Sequence, residues 1–257
     1  MSPTITIFKK EFRGFLFSPG FLLVCALVMT IVSWIYPTQL KVFDMQLKNA
    51  MFQQGMPTQG LNIHYAVFLR LLQYVNLMLI LVVPALTMRL FAEEKKMRTF
   101  DLLLTSPVTS VQIVLGKYLA ALGAILVVMG LAFLYPATTW IFASFSWLPL
   151  IVAFAGIFLV AAVYAAMNLF CSSLTESAIV AYVMAVIFNL SIWFVGIGAE
   201  IADGATIRAV LDHVSLNSHL ASLVEGTVRT SSLVFFGSVI FLFGFLSERV
   251  VESHRWR

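Results

Sequence analysis

Side chains able to do chemistry are scarce in this chain, and five charged ones stand together in the stretch EEKKMR, residues 93–98. Each such charge costs roughly 2.5 to 3.5 kcal/mol at the centre of a membrane helix, so this stretch must lie in water. The segments on both sides of it are apolar. Carboxylates and amines mixed on one short segment suit ionic contacts with a soluble partner protein.

The charged stretch has the pattern of a short helix with defined ends. Glu94 stands four residues before Arg98, which is the favourable orientation for a helical ion pair. Pro107 ends the helix, and the Thr-x-x-Gln pattern at 109–112 is a capping box that begins the next one. We therefore expect a helix over 91–106 whose charges face water and touch little of their own chain.

Two roles for this helix stay open on the residues alone. A stiff, charged helix with a narrow apolar edge suits a docking element that transmits displacement from a partner. The alternative is a solvated connection between two membrane spans. The residue pattern favours neither interpretation over the other.

Catalytic constellations are missing from the apolar segments, which lack paired aspartates, a Ser/His pair and the H-E-x-x-H motif. Gly116-Lys117 is followed by Tyr118 and has no glycine five residues earlier, so it is not a phosphate-binding loop. We therefore expect no catalytic residue, no metal and no cofactor on this chain. An intramembrane enzyme is the least favoured functional class. The histidines lie at segment ends or in loops, namely His64, His213, His219 and His254.

The elements that carry these residues follow from composition. The 257 residues are 61% hydrophobic and 11% charged, with a mean hydropathy of +0.97. A soluble domain could not bury so much apolar surface, so the natural solvent is a bilayer, which a helix crosses with about 20 mostly apolar residues. We expect an all-α integral membrane protein with six transmembrane helices. They are predicted at about 20–38, 66–88, 111–135, 147–171, 177–198 and 230–247.

Lysine and arginine set the expected orientation. With these spans, eleven basic residues fall on the side of the chain termini and the 89–117 region, against five on the other side. Basic residues in short loops favour the cytoplasm, so both termini are predicted to be cytoplasmic. The pI of 9.2 is thus a topology signal. It does not indicate nucleic-acid binding, since the basic residues are divided among helix ends and do not form one soluble face.

Three further elements are predicted outside the spans. Residues 3–18 form an amphipathic helix in the membrane interface, and Pro19-Gly20 breaks it before the first span, giving an elbow. Residues 40–51 read as a short surface helix that precedes a turn over 55–60. An amphipathic segment over 200–229 is expected to lie on, or dip into, the outer leaflet.

Small and polar residues inside the spans indicate packing more than transport chemistry. Gly116, Ala120 and Ala124 recur at every fourth position, which lets helices approach closely, and we favour contacts within one subunit. Polar residues in the spans are expected to bond helix to helix. They are Gln73, Asn76, Asn168, Asn189 and Ser191. The middle of the spans holds no charge, so a lipid-linked, amphiphilic or polymeric cargo fits better than a small ion.

Residues 84–121, PALTMRLFAEEKKMRTFDLLLTSPVTSVQIVLGKYLAA, resemble the ABC-2 permease family. Arg98 stands where the family often has glycine, which puts the tight turn expected there in question. A second block, 169–189, is similar to the gliding-motility (Gld) permeases and, more distantly, to the nitrous-oxide-reductase maturation permease. The residues that match the first family pattern are Glu93, Glu94, Thr99, Asp101, Leu102, Leu103, Pro107, Gln112, Gly116 and Lys117.

The resemblance implies a single permease domain over 1–257, working in the bacterial inner membrane as a homodimer or related heterodimer. It implies two copies of a separate ABC ATPase that binds the ATP, and membrane lipid and a periplasmic auxiliary protein as further partners. Nucleic acid is not expected as a partner. The function implied is export, in a gliding-motility-like system, with a scaffold or mechanical signalling subunit as the alternative.

The same resemblance assigns candidate site residues at two places. A second cytoplasmic contact is assigned to Ser173, Thr175 and Glu176. The ATPase-coupling residues are Glu93, Glu94, Lys95, Lys96, Arg98, Thr99, Asp101 and Pro107.

Overall fold

A computed structural model of the chain describes residues 2–52, 62–100, 107–141, 145–201, 204–225 and 227–255. These residues are helical or lie in short connections, and no strand occurs among them, so the expected all-α class is confirmed. A π-helical turn over His64–Phe68 leads directly into α3. The α-helices are α1 Pro3–Leu16, α2 Pro19–Phe52, α3 Leu69–Thr87, α4 Arg89–Lys96, α5 Ser110–Thr139, α6 Trp147–Leu174, α7 Ala178–Ile201, α8 Ala205–Val214, α9 Leu216–Val224 and α10 Thr230–Arg255.

Six stretches of the described chain are long and apolar enough to cross a membrane, as expected. They correspond to α2, the π-turn with α3 and α4, then α5, α6, α7 and α10. Helix α6 is the centre of the bundle, because it packs against α3, α5, α7, α9 and α10. Its alanines Ala161, Ala162, Ala165 and Ala166 are all buried, which allows these neighbours to approach closely.

Helix α1 packs against the row of small residues in α5. A Cβ added at Gly116 would stand 2.8 Å from Ile7 Cγ2, and one added at Gly123 would stand 3.0 Å from the Phe12 ring. The preference for contacts within one subunit is confirmed at Gly116. Its partner is α1, and the row therefore fixes the elbow to the bundle.

Helix α2 differs from its prediction at its C-terminal end. A span over 20–38 and a separate surface helix over 40–51 were expected, but one helix continues from Pro19 to Phe52. Pro37 lies inside it. The reason is local, since a proline that lacks one donor need not end a helix whose other backbone groups stay paired. The turn expected over 55–60 lies outside the described residues.

Helix α3 contains Pro84, and α7 compensates for it. Proline has no N–H, so the carbonyl of Ile80, four residues earlier, has no intrahelical partner. Asn189 Nδ2 of α7 donates to that carbonyl at 3.3 Å. The expectation that Asn189 bonds helix to helix is confirmed, and the bond ties α7 to α3 one turn before Pro84.

The segment over 200–229, expected to lie on or dip into the outer leaflet, contains two helices, α8 and α9. In α9, Leu216, Leu220 and Leu223 are buried, and a Cβ at Gly156 of α6 would stand 2.8 Å from Leu223 Cβ. Helix α9 therefore dips into the bundle. His64 Nε2 and the Val224 carbonyl, 3.0 Å apart, join α9 to the π-turn that precedes α3.

Candidate functional site

The predicted charged helix is not continuous. Helix α4 covers Arg89–Lys96 and a turn follows it, whereas one helix over 91–106 was predicted from the sequence. The part of that prediction over 101–106 lies outside the described residues. Two backbone bonds close its C-terminus, from the N–H of Arg98 to the Lys95 carbonyl at 3.1 Å and from the N–H of Thr99 to the Glu94 carbonyl at 3.0 Å. This pair of bonds is the Schellman arrangement, which reverses the chain direction.

Arg98 adopts φ 54°, in the left-handed region that favours glycine. The tight turn that was in question because the family often has glycine here does form, with arginine in its place. The two terminal bonds explain why the residue tolerates this conformation. Its side chain is exposed.

Ser172, near the end of α6, forms hydrogen bonds with the backbone at the junction between α3 and α4. Ser172 Oγ accepts from the N–H of Phe91 at 3.2 Å and from that of Ala92 at 3.3 Å. It donates to the Met88 carbonyl at 2.9 Å. One buried hydroxyl thereby satisfies backbone groups at this junction, and it ties α4 to α6.

Lys117 is a buried cation near the start of α5, with its side chain only 1% exposed. Its Nζ lies 2.9 Å from Glu94 Oε2 and 3.3 Å from Glu11 Oε1, and it donates to the Leu90 carbonyl. It also lies 5.2 Å from the centroid of the Phe91 ring. A charge removed from water needs such partners, so this cluster joins α1, α4 and α5 through one amine.

Two predicted surface charges, at Glu94 and Lys95, are therefore not free surface charges, which corrects the expectation that the five charges touch little of their own chain. The Glu94 side chain is 18% exposed and pairs with Lys117, while Lys10 Nζ lies 3.6 Å from it. Lys95 Nζ donates to the Ser173 carbonyl and lies 2.9 Å from His254 Nε2. These contacts tie α4 to the ends of α6 and α10.

The exposed surface of α4 is made by the remaining charges. Glu93 and Lys96 are exposed, as are Arg98 and Thr99 after the helix end. Glu93 Oε1 accepts from Arg89 Nε at 3.2 Å, one helical turn away. A mixed-charge surface thus stands on a base formed by the buried pairs. We call it the α4 surface, meaning Glu93, Lys96, Arg98 and Thr99.

The other predicted site residues lie nearby or outside the described chain. Pro107 is exposed in a bend before α5, and Asp101 falls outside the described residues. Ser173 is buried, and its carbonyl accepts from Lys95 as described above. Thr175 Oγ1 accepts from the N–H of Ser177 before α7, and Glu176 beside it is exposed. The two predicted contact regions thus adjoin at one end of the bundle.

The start of α5 carries the predicted capping box. Thr109 Oγ1 accepts from the N–H of Gln112, and Gln112 Oε1 accepts in return from the N–H of Thr109, which confirms the prediction. The last turns of α10 hold this start in place. Ser110 Oγ donates to Glu252, and Arg255 donates to the Val108 carbonyl at 2.8 Å. This charged end of the bundle therefore comprises α1, α4, the start of α5 and the ends of α6 and α10.

The model of the ABC-2 family transporter protein matches residues 5–246, nearly the whole chain. The chain belongs to the ABC-2 transporter family. It is a multi-pass membrane protein and a transporter permease subunit. Permeases of this family generally work with an ABC ATPase subunit. No curated protein matches the chain in sequence.

The opposite end of this ABC-2 permease contains a cavity of about 790 Å³ between α3, α6, α7 and α9. Its wall includes Gln73, Asn76 and Asn217 as amides and Trp193 as an aromatic ring. Asn76 is 5% exposed, and its Oδ1 has no hydrogen-bond partner in the protein. Gln73 and Asn76 therefore face a cavity, where a helix-to-helix bond had been expected.

Two residues of the permease site were not recognised in the sequence. Ser172 has no local signal, because its bonds reach backbone groups at least 80 positions away in the chain. Lys117 was counted among the surface charges, although its place in an apolar helix signalled burial. Among the described residues, no group of three His, Cys, Asp or Glu side chains could hold a metal ion.

Proposed function

We propose that this ABC-2 permease couples ATP hydrolysis by a separate ABC ATPase to the export of an amphiphilic or polymeric cargo across the bacterial inner membrane. Two permease copies and two ATPase copies form the working unit in this proposal. The observation that carries it is the α4 surface, a mixed-charge platform whose base is tied to several spans. A docking element needs both an accessible face and a stiff connection.

The stiff connection is supported by four contacts, which are buried at Lys117 and Ser172 and partly buried at Lys95. Lys117 ties α4 to α5, Ser172 ties it to α6, and Lys95 ties it to α6 and α10. A displacement of α4 by a bound ATPase would therefore move three spans together. A solvated connector has no need for a buried cation at its base, which supports the docking interpretation over the alternative.

The proposed orientation puts the charged end in the cytoplasm together with both termini. The distribution of basic residues supports it, with eleven on this side and five on the other. Reporters inserted at Met97 or fused after Arg257 should be cytoplasmic, and reporters at Gly60 or Asp203 should be external. A cytoplasmic reporter at Gly60 would contradict the six-span orientation.

The proposed cargo class rests on the cavity at the opposite end. Its amides and aromatic ring offer donors, acceptors and an apolar face, while Arg70 and Glu225 supply one charge of each sign. Such a wall suits a molecule with polar and apolar parts better than a bare ion. The resemblance of residues 169–189 to the gliding-motility permeases extends the proposal to a motility-like system with a periplasmic auxiliary protein.

Charge reversal on the α4 surface tests the docking proposal. The variant Lys96→Glu/Arg98→Glu changes two exposed side chains outside the buried pairs, so folding should be preserved. Like charges placed against an interface can cost several kcal/mol, so the variant should lose co-purification with the ATPase. Stimulation of ATPase turnover by the permease should be lost with it. Membrane abundance should stay at the wild-type level.

The matched control is Arg208→Glu/Arg229→Glu, which makes the same charge change at exposed positions of the opposite end. It should bind and stimulate the ATPase normally. If the α4 variant also does so, α4 is a solvated connector and the docking proposal is wrong. If both wild type and variants bind the ATPase but transport nothing, the scaffold alternative is supported.

Reversal at Glu94 does not test docking, although it follows from the sequence-based expectation of a water-facing charge. A lysine there would stand beside the buried amine of Lys117. Loss of function in Glu94→Lys would report misfolding of the charged end.

The purified chain alone should neither bind nor hydrolyse ATP, because the proposal assigns both steps to the ATPase subunit. Nucleotide binding by the isolated permease would contradict this assignment.

A further inference from the structure

A cavity of about 400 Å³ lies at the elbow, where α1 and α2 meet the end of α3 and α4. Ligand cavities in proteins occupy about 300–1,000 Å³, so it can hold a small molecule or a headgroup. Two of the four residues of the α4 surface, Glu93 and Thr99, also line it. The cavity therefore adjoins the proposed ATPase contact, and it is separate from the cavity at the opposite end.

The wall of this elbow cavity changes from apolar to charged. Its apolar part includes Phe15, Phe21 and Leu86. Its charged part includes Arg89 and Glu93. The side chains of Arg89 and Glu93 are 53% and 48% exposed, so both can reach a molecule in the cavity. The cavity therefore suits an amphiphile with its polar part among the charges.

Two glycines leave the space open. Gly14 lines the cavity, and a Cβ added there would meet nothing within 4 Å. Glycine inside a helix is less favourable than alanine, and Gly14 gains no close packing in return, unlike Gly116 and Gly123. Gly20 also lines the cavity, and its added Cβ would meet only Ser18 Oγ, at 3.6 Å. The absence of side chains here preserves room for an occupant.

The position of the cavity indicates a lipid occupant. Helix α1 is amphipathic and lies at the end of the first span, which places its polar face at the level of the headgroups. Beyond the cavity, Leu22 and Leu23 of α2 are 58% and 71% exposed. Acyl chains running from the cavity along these leucines would stay in the hydrocarbon.

The charges select among headgroups. Lys10 and Arg89 are the cations of the wall, and Glu11, Glu93 and Glu94 are its anions. The buried amine of Lys117 neighbours Glu11 and Glu94, so the cluster as a whole is neutral. A zwitterionic headgroup matches this balance better than one with a net negative charge. Carboxylates accept hydrogen bonds from a primary ammonium, which a quaternary amine cannot donate.

We propose that the elbow cavity binds the headgroup of a phospholipid that carries a primary amine. The phosphate lies against Lys10 and Arg89, and the ammonium lies against Glu93. The glycerol backbone occupies the space beside Gly14, and the acyl chains follow α2 into the membrane. The site anchors the elbow to the bilayer at the place where α1, α3 and α4 converge.

Competition among three lipids tests the proposal without an ATPase. The purified protein in detergent is offered phosphatidylethanolamine, phosphatidylcholine and phosphatidylglycerol with identical acyl chains, and native mass spectrometry counts the bound lipid. One phosphatidylethanolamine per protomer should be retained, about tenfold in preference to phosphatidylcholine, as one charge-assisted hydrogen bond provides. Equal retention of phosphatidylglycerol or phosphatidylcholine would overturn the assignment.

Two variants locate the lipid. Gly14→Leu adds a side chain to the cavity wall, where an added Cβ meets nothing within 4 Å, and it should abolish specific retention. Gly130→Leu, equally open around its Cβ but outside the cavity, should leave retention unchanged. Glu93→Gln should keep the lipid but lose the preference over phosphatidylcholine, and it decides the matter if Gly14→Leu folds poorly. Retention unchanged in both variants, or displacement of the lipid by dimerisation through this face, would refute the site.

Discussion

Lys117 and Glu94 form an ion pair with 2.9 Å between Nζ and Oε2, which ties the start of α5 to α4. Glu11 of α1 lies 3.3 Å from the same amine. The cation is thus shared by three helices, which also pack together through an apolar cluster that includes Ile7, Phe91 and Ile113. Because the amine is almost completely buried, these helices cannot separate without exposing an unpaired charge.

Removal of this cation should destabilise the protein strongly. Lys117→Met keeps the length of the side chain but removes the buried partner of Glu11 and Glu94, which are 18% exposed and retain only the exposed Lys10 amine, 3.5 and 3.6 Å away. Breaking a buried pair in this way costs about 3–5 kcal/mol of unfolding free energy. Thermal unfolding in detergent, followed by tryptophan fluorescence, measures the loss.

The matched control for this prediction is Lys96→Met, two residues after Glu94 at an exposed position of α4. Its side chain is exposed, so its unfolding free energy should change by no more than about 0.5 kcal/mol. The triple variant Lys117→Met/Glu11→Gln/Glu94→Gln should recover much of the loss, since it removes the unpaired charges. A Lys117→Met protein as stable as wild type would show that the cluster contributes nothing.

Replacement of Arg98 by glycine should stabilise the end of α4. Arg98 adopts φ 54°, which is unfavourable for a residue with a Cβ by roughly 1–2 kcal/mol. Part of the gain is offset by the greater freedom of glycine in the unfolded chain, so we expect about 1 kcal/mol. Arg98→Ala is the control, because it removes the same charge and keeps the Cβ. Equal stability of the two variants would contradict the strain argument.

The sequence predicted the elements that depend on local chemistry. The spans follow from runs of apolar residues, and the start of α5 follows from the pairing of Thr109 with Gln112 three residues later. Both signals are complete within one or two helical turns. For this reason the all-α class and the capping box could be predicted without any knowledge of tertiary contacts.

The features that the sequence did not predict depend on distant partners. Lys117 is buried because Glu11, 106 positions away in the chain, and Glu94 reach it. Pro84 predicts an unpaired carbonyl at Ile80, but the sequence does not predict that Asn189 supplies the donor. The end of α4 is set by backbone bonds at Arg98, where the usual glycine signal is absent.

The hydrogen bond from Asn189 to the Ile80 carbonyl of α3 should produce an energetic coupling between residues 189 and 84. Asn189→Leu leaves the Ile80 carbonyl unpaired, and an unmade buried bond costs about 1–3 kcal/mol. In a Pro84→Ala background, the restored N–H of residue 84 can serve that carbonyl. The loss caused by Asn189→Leu should then be smaller by about 1 kcal/mol, which a double-mutant cycle on unfolding measures. If the losses of unfolding free energy from Asn189→Leu and Pro84→Ala simply add, the Asn189 amide does not act through the Ile80 carbonyl.

Replacement of Lys95 should leave ATPase binding intact but weaken the transmission of movement from the ATPase to the spans. Its amine reaches the Ser173 carbonyl and His254, so it joins α4 to two spans without belonging to the α4 surface. In Lys95→Met the α4 surface is intact, and we expect normal co-purification with the ATPase.

Lys95→Met should weaken the coupling between the permease and ATPase turnover. Changes along a coupling network alter it by about 0.5–2 kcal/mol, so permease-dependent stimulation of ATPase turnover should fall by roughly 2- to 30-fold. Lys96→Glu/Arg98→Glu should show the opposite pattern, with binding itself lost. A general loss of stability would lower membrane abundance in both, and abundance is therefore measured beside turnover. Full stimulation in Lys95→Met would mean that α4 moves the spans through Ser172 and Lys117 alone.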